Sequence, residues 1–294
     1  MPPPLEKACA AAGVDGRGAR LIQARVNVVY ELPYAGAVAR LHHLDHPKWQ
    51  DRLRTVVEVT RWLAGRDFPT IVPLDVAQPV AADGWTATFW RLEQVDATAR
   101  QTGLLDLAPV LRRLHTLPAP PFEVPPTQPA GSLPADVERD RLLPDDQRAW
   151  LLAQIAEITE RYPVTEMPLG HGLVHGDAHP GNLFLAGGRF LLGDWDSVSH
   201  GPVAQDLIPI LDDVLRFGRP RSDWTEYCAA YGADPGIAEQ PGMQLLQRVR
   251  ELRLLAPCIR GAAREEIRAE LDKRLRTLMT GSNEVWRSLQ EITA

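Results

Sequence analysis

Two short segments in the second half of the chain combine the side chains that chemistry on phosphate esters needs. Residues 175–182 read His-Gly-Asp-Ala-His-Pro-Gly-Asn, and residues 193–196 read Gly-Asp-Trp-Asp. The carboxylate of Asp177 could accept the proton of an attacking hydroxyl group, while Asn182 and Asp194 offer the hard oxygen ligands that Mg²⁺ prefers. These three residues could therefore serve phosphoryl transfer from a nucleoside triphosphate, which depends on positioning and charge neutralisation.

The neighbouring residues are predicted to shape this loop rather than to react. Gly176 permits a tight turn after the preceding strand, and His175 is predicted to hydrogen-bond the loop as a scaffold residue. Asp196 has two interpretations of equal weight, as a further ligand of the metal or as the acceptor of a structural hydrogen bond.

Short strands in the first ninety residues must position one part of this chemistry. Alternating apolar and polar residues predict strands, and a stripe of apolar residues at helical spacing predicts one helix. In chain order these elements are strands 20–25, 28–32 and 37–41, a helix at 48–64, and strands 71–76 and 85–92. This β-β-β-α-β-β order is typical of a small nucleotide-binding lobe, which we place at residues 1–93.

Residues 94–294 are predicted to form a mainly helical lobe that carries the catalytic and substrate-binding groups. Helical spacing predicts helices at 104–114, 146–162, 205–217, 222–231, 243–260, 264–280 and 283–292. Gly187-Gly188, between two apolar segments, predicts a hairpin. Residues 118–144 contain eight prolines and are predicted to form an irregular connection.

Composition excludes several classes of protein. A net charge of −6 argues against a nucleic-acid binder, and 45% hydrophobic residues is typical of a globular protein. Three scattered cysteines, Cys9, Cys228 and Cys258, indicate neither a zinc site nor a disulfide framework. With no signal peptide and no apolar run long enough to span a membrane, we expect a cytoplasmic monomer or homodimer without membrane or nucleic-acid partners.

The two central segments resemble those of the aminoglycoside phosphotransferase and choline kinase family of small-molecule kinases. They share the H-x-D-x-x-x-x-N spacing of a kinase catalytic loop and the following metal-binding Asp. The resemblance implies a bilobal, protein-kinase-like α+β fold, with a small antiparallel-sheet N-lobe and a larger helical C-lobe. It also implies ATP or GTP as the phosphoryl donor, Mg²⁺ as the metal, and a hydroxylated small molecule as the acceptor. Antibiotic resistance is one role that this family serves.

The resemblance also assigns roles outside the two segments. Asp206 would be the buried residue that supports the catalytic loop, and segment 25–28, with Asn27 at its turn, would close over the phosphates. Arg40 stands where the family has the lysine that binds the α- and β-phosphates, although arginine and lysine differ in geometry. Glu58, on the following helix, would be its ion-pair partner.

Contacts to the adenine ring are expected from the backbone at the end of the last strand of the N-lobe. The residues that would form this hinge are Arg91, Leu92 and Glu93.

Two other classes of function remain open at this point. His171, His175, Asp177 and His179 could converge on a metal ion, as in a metal-dependent hydrolase, but this would leave Asn182 and the Asp-Trp-Asp segment unexplained. The third class is a non-catalytic nucleotide-binding module. Only Arg40, in place of the expected lysine, supports it.

The charge of the acceptor molecule stays undecided. Residues 131–242 contain 18 Asp and Glu against 8 Arg, which favours an aminated sugar or a choline-like cation, and the candidate contacts are Asp212, Asp213, Glu226 and Glu251. Residues 243–280 contain nine Lys and Arg against five Asp and Glu, which favours a neutral or anionic sugar.

Overall fold

The structure of the protein is a computed structural model, which describes residues 1–24, 27–43, 48–95 and 102–293. The chain divides into two compact units, each assembled from separate parts of the sequence. Unit 1 comprises Met1–Leu114, Ala119–Val124 and Pro180–Val198. Unit 2 comprises His115–Pro118, Pro125–His179 and Ser199–Ala294. The simpler division between residues 93 and 94 stays a prediction.

In its described residues, unit 1 combines a sheet, a hairpin and three α-helices. In chain order its elements are α1 (Pro3–Ala12), β1 (Arg20–Ala24), β2 (Val28–Leu32), β3 (Ala37–His43), α2 (Lys48–Ala64), β4 (Val80–Ala82), β5 (Trp85–Arg91) and α3 (Leu104–His115), with the later hairpin formed by two further strands. The last residue of α3 belongs to unit 2.

The sheet of unit 1 is antiparallel, with the strand order β1-β2-β3-β5-β4. Arg40 lies on the central strand β3, opposite Val29 of β2 and Thr88 of β5. Helix α1 packs its buried Leu5 into the same apolar cluster as Phe89 of β5. This helix was not predicted, because Pro3 and Pro4 mask a helical start; proline is tolerated there because the first helical N–H groups have no intrahelical partner.

The predicted strand at 71–76 is wrong, and the fifth strand is β4 instead. Residues near Pro73 are extended, but their hydrogen bonds go to different partners. Ile71 N–H donates to Leu192, Leu74 N–H donates to Phe89, and Val72 accepts from Arg91. Pro73 has no N–H group, so this segment forms isolated bridges rather than a ladder.

Unit 1 also contains a hairpin formed by β7 (Leu183–Ala186) and β8 (Arg189–Leu192). Strand β6 (His171–Val174), which precedes them in the chain, belongs to unit 2. Gly187 and Gly188 form its turn with positive φ angles of 56° and 76°, as their sequence predicted. The backbone of Leu192 exchanges hydrogen bonds with Pro69 and Ile71, which fixes the end of β8.

Unit 2 is mainly helical, and its described residues include a small antiparallel pair of strands. Its elements are α4 (Leu133–Arg139), α5 (Asp145–Arg161), β6 (His171–Val174), β9 (Ser199–Pro202), α6 (Ile208–Arg216), α7 (Arg221–Tyr231), α8 (Pro241–Arg253), α9 (Leu255–Gly261), α10 (Glu265–Thr280) and α11 (Leu289–Thr293). Strands β6 and β9 pair from His171 with Pro202 to Val174 with Ser199.

Three predictions for unit 2 need correction. The single helix at 243–260 is two helices, α8 and α9, because Pro257 cannot donate to the carbonyl of Arg253. The predicted helix at 283–292 is reduced to α11, since Trp286 is buried and its N–H group donates to the carbonyl of Arg216. The connection 118–144 contains the short helix α4.

The predicted fold class is confirmed: the protein is α+β, with a small antiparallel sheet near its N-terminus and a mainly helical C-terminal part. None of the helices in the described ranges combines the length and the apolar composition that crossing a bilayer requires.

Candidate active site

A buried carboxylate fixes the loop that carries Asp177 within unit 2. The backbone N–H groups of His175 and Gly176 each donate to Asp206 at 2.7 Å, and His115 Nε2 lies 3.1 Å from the same carboxylate. Gly176 has a φ of 83°, a conformation that glycine adopts without strain. Asp206 is only 1% exposed and His175 is also buried, and the supporting and scaffold roles expected of these two residues stay predictions.

Replacing Asp206 by alanine is expected to destabilise unit 2 strongly. The substitution would leave two buried backbone N–H groups without an acceptor, at a cost of roughly 3 kcal/mol in the free energy of unfolding. Urea denaturation should show a lower midpoint at an unchanged slope. Asp206→Asn keeps one acceptor oxygen and should lose less stability; an alanine variant as stable as the wild type would contradict this role.

Asp177 carries its carboxylate at the turn after β6, where 43% of the side chain is exposed. Arg250 Nη1, from α8, donates to Asp177 Oδ1 at 3.1 Å. Burial acts to raise the pKa of Asp177, but the charge and hydrogen bond of Arg250, together with His179 and His175, outweigh it and hold this pKa below its ordinary value. Asp177 is therefore ionised at neutral pH and can accept a hydrogen bond from a hydroxyl group.

A cluster of opposite charges surrounds Arg250 on α8. Its Nε atom lies 3.8 Å from Oδ2 of Asp212, a residue of α6 that is 1% exposed. Burial raises the pKa of Asp212 well above its ordinary value, although Arg250 acts in the opposite direction. Arg253 follows one turn later on α8; burial and the charge of Arg250 lower its pKa, while Asp177 and Tyr162 act to raise it.

The two predicted metal ligands lie together in unit 1. Gly193 N–H donates to the carbonyl oxygen of Asn182 at 2.8 Å, which joins the turn before β7 to the residue preceding Asp194. Asp194 has φ and ψ angles of 56°. This left-handed conformation costs a residue with a side chain about 1–2 kcal/mol, and such strain concentrates at functional sites. The Asp194 side chain is 48% exposed, so its oxygens are accessible.

Arg40 contacts both carboxylates of the Asp-Trp-Asp segment. Its two terminal nitrogens donate to Asp196 at 3.0 and 2.6 Å, and Nη2 lies 3.1 Å from Asp194 Oδ1. Arg52 Nε, from α2, donates to the backbone oxygen of Asp196 at 2.6 Å. Burial raises the pKa of Asp196; Arg40 offsets part of this effect and Asp194 adds to it. Asp196 thus accepts hydrogen bonds from Arg40, and its role as a further metal ligand stays a prediction.

The predicted ion pair between Arg40 and Glu58 is not formed. Glu58 is exposed on α2, whereas Arg40 pairs with Asp194 and Asp196. The inward face of α2 instead contains apolar residues, among them Val56 and Val59, and helical geometry turns position 58 outward.

Asn27 lies beside Arg40 rather than in an isolated turn. With its amide oxygen towards Arg40, it accepts from Arg40 Nε at 3.1 Å, and its nitrogen donates to His42 Nδ1 at 2.8 Å. Asn27 therefore helps to fix the guanidinium group of Arg40. The neighbouring Arg25 and Val26 of the expected phosphate-closing segment lie outside the described residues.

The predicted hinge residues use much of their backbone within unit 1. Arg91 N–H donates to Val72, Leu92 N–H donates to Gly36, and the carbonyl of Glu93 accepts from Val95. Adenine contacts at these three residues stay a prediction, and these particular groups are already bonded.

The four predicted acceptor contacts differ in their surroundings. Glu226 is exposed on α7, and Asp213 is half-buried on α6, where burial raises its pKa and Arg219 opposes this effect. Glu251 is 4% exposed and accepts from Arg216 Nε at 2.6 Å. That burial argues against a substrate contact for Glu251 and gives it a structural role.

The described residues do not form the alternative metal site of a hydrolase. Of its predicted ligands, His171 is exposed on β6 and His175 is buried under the loop. Within the described ranges, no three His, Cys, Asp or Glu side chains are placed to hold a metal ion. Mg²⁺ needs fewer protein ligands, one or two carboxylates in addition to nucleotide phosphates, so Asn182 and Asp194 fit that ion.

Arg250 is the contact that sequence reasoning missed. In the sequence it is only one of the nine lysines and arginines of residues 243–280, and 73 positions separate it from Asp177. Its helix could be predicted, but no local pattern in the sequence indicates which arginine of that helix contacts the loop.

The sequence profile of the phosphotransferase enzyme family (APH) matches residues 27–252, more than three quarters of the chain. No curated protein sequence matches it.

Several solved structures share the fold. The amicoumacin kinase hAmiN is 14% identical, with a TM-score of 0.71 over 95% of this chain and 93% of that one. A choline/ethanolamine kinase family protein from Mesorhizobium loti is 15% identical, with a TM-score of 0.63 over 94% and 92%. An APH(2'') aminoglycoside phosphotransferase is 14% identical, with a TM-score of 0.61 over 94% and 98%.

Proposed function

The chain belongs to the phosphotransferase enzyme family, and from this premise we propose that it transfers the γ-phosphoryl group of ATP to a hydroxyl group of a small molecule. The observation that carries the proposal is the geometry of Asp177. It is an accessible, ionised carboxylate on a loop that the buried Asp206 holds in place.

In the proposed reaction, Asp177 accepts a hydrogen bond from the acceptor hydroxyl and orients its oxygen. That oxygen forms a bond to the γ-phosphorus as the bond between this phosphorus and the β,γ-bridging oxygen breaks. ADP leaves, and the hydroxyl proton passes to Asp177 and then to solvent. The low pKa of Asp177 suits this sequence, because a weakly basic carboxylate positions the hydroxyl and receives the proton late.

Unit 1 supplies the groups for the nucleotide. Asn182 and Asp194 would hold Mg²⁺, which when bound contributes positive charge to the phosphate oxygens. Arg40 is the cation on β3 available for the phosphates, and Asn27 and Asp196 restrict its orientation. Arginine can pair with phosphate through two parallel hydrogen bonds.

Related structures support a nucleotide donor and leave its base open. The amicoumacin kinase is in complex with AMP-PNP and Ca²⁺, and the APH(2'') enzyme is in complex with GDP and kanamycin. We propose ATP for this chain, with GTP as the alternative.

Binding of AMP-PNP and of its guanine counterpart, measured by calorimetry with and without Mg²⁺, tests the nucleotide half of the proposal. ADP release in the presence of pooled amino sugars, neutral sugars and sugar acids tests the transfer half. Magnesium-dependent binding followed by acceptor-dependent release is expected. No binding of either nucleotide would refute the proposed function.

The Asp177–Arg250 ion pair predicts a specific pH dependence. Arg250 lowers the pKa of Asp177 against the effect of burial, so the reactive carboxylate persists to lower pH. Arg250→Gln removes the largest of the effects that oppose burial, so this pKa should rise and the acid limb of kcat/KM should move to higher pH. Rate profiles of the variant, the wild type and the exposed-site control Arg264→Gln measure this shift; an unmoved limb would contradict the assignment of Asp177.

A further inference from the structure

Among the residues that the structure describes, Arg253 of α8 forms no ion pair with a carboxylate. Neighbouring arginines are paired: Arg248 donates to Gln154, Arg260 pairs with Asp136, and Arg250 donates to Asp177. Across the described ranges, no hydrogen bond or ion pair joins Arg253 to another side chain, although the residue is half-buried. A half-buried charge is costly unless an opposite charge accompanies it.

Arg253 belongs to the same helix as Arg250, the arginine that donates to the reacting carboxylate of Asp177. Arg250 and Arg253 are three residues apart on α8 and therefore lie on the same face of this helix. The electrostatic effect of Asp177 reaches both guanidinium groups. The Arg253 side chain also packs against the backbone of Gly131. A Cβ atom added to this glycine would lie 3.3 Å from Arg253 Nε.

Arg250 and Arg253 bring two positive charges to one face of α8, and Asp177 is the exposed carboxylate that Arg250 contacts. The two acids of α6 that interact with Arg250 are less accessible: Asp212 is 1% exposed, Asp213 is half-buried, and burial raises the pKa of both. Like charges on one face of a helix repel each other, and a bound anion would reduce the repulsion between the two guanidinium groups. An ammonium group next to the reacting hydroxyl would instead meet two cations.

We propose that the acceptor is a hydroxy acid, with a carboxylate close to the hydroxyl that is phosphorylated, and that Arg253 and Arg250 bind this carboxylate. The inference rests on the proposed function, since it names the acceptor of that reaction. A carboxylate matches the planar fork of a guanidinium group. A carboxylate also carries a single negative charge, so an acceptor with a carboxylate repels the phosphates of the nucleotide less than an acceptor with a phosphate group would.

Three sugars of one ring skeleton test the proposal, because they differ in charge: D-glucuronate, D-glucose and D-glucosamine. In the presence of Mg²⁺ and AMP-PNP, we expect D-glucuronate to bind at least tenfold more tightly than D-glucose, with D-glucosamine the weakest. Arg253→Gln should remove the preference for the acid, and Arg253→Glu should reverse the order. Arg264→Gln, at an exposed arginine nearby in sequence, should keep the wild-type order.

The possible outcomes distinguish the inference about the acceptor from the proposed function. Equal binding of the three sugars, absent binding of all three, or a preference for D-glucosamine would overturn the inference about the acceptor. So would an unchanged preference in Arg253→Gln. None of these results affects the proposed function as long as AMP-PNP binds in a magnesium-dependent way, whereas loss of nucleotide binding itself would reject the proposed function.

Discussion

Replacing Asp177 by alanine should lower kcat by about 10³-fold and leave the affinity for Mg²⁺ and AMP-PNP unchanged. The reason is the position of its carboxylate, which is accessible, ionised and placed on a loop fixed by Asp206. Single-turnover rates and nucleotide calorimetry on the same preparation measure the two halves of this expectation.

The controls for Asp177 must separate chemistry from stability. Alanine leaves Arg250 without its 3.1 Å partner, so the thermal midpoint of each variant has to be measured as well. Asp177→Asn keeps the size of the side chain and should be almost as inactive. Asp145→Asn, at an exposed position of α5, should retain full activity. An alanine variant with more than about a tenth of the wild-type rate would show that another group orients the hydroxyl.

Replacing Asp194 by asparagine should abolish magnesium-dependent nucleotide binding and lower kcat/KM by about 10³-fold or more. Asparagine suits this test because it tolerates the left-handed conformation that Asp194 adopts, so the fold should be kept. Calorimetry with AMP-PNP, with and without Mg²⁺, gives the direct measurement.

Asp51→Asn is the matched control for Asp194, since Asp51 is exposed on α2 in the same unit. Magnesium-dependent binding that survives in Asp194→Asn would contradict the metal assignment. It would move attention to Asp196, the other carboxylate that Arg40 contacts.

Local patterns in the sequence predicted most of the secondary structure. The hairpin around Gly187-Gly188 and the helix that begins at Leu104 follow from turn chemistry and periodicity. The break between α8 and α9 was missed, since residues 243–260 were interpreted as one helix, although Pro257 removes a backbone donor and could have indicated it. The coil before α11 could not be predicted, since its bonds to Arg216 and Glu270 exist only after tertiary packing.

The candidate site likewise combines features that the local sequence indicates with contacts that form only in the folded chain. The chemical types and order of Asp177, Asn182 and Asp194 are local features, and they sufficed to predict a phosphotransferase. The partners of the charged groups are not local: Arg40 is 156 positions from Asp196, and Arg250 is 73 positions from Asp177. Glu58, the ion-pair partner predicted for Arg40, was wrong because helix α2 turns position 58 towards solvent.

The arginine on β3 changes which reagents can label the nucleotide site. Nucleotide-derived acylating probes capture kinases through a lysine amine near the phosphates, and β3 carries no lysine. A guanidinium group keeps its proton throughout the usable pH range and resists acylation. Activity-based profiling with such probes would therefore overlook this protein, whereas a dicarbonyl reagent directed at arginine would find a target at Arg40.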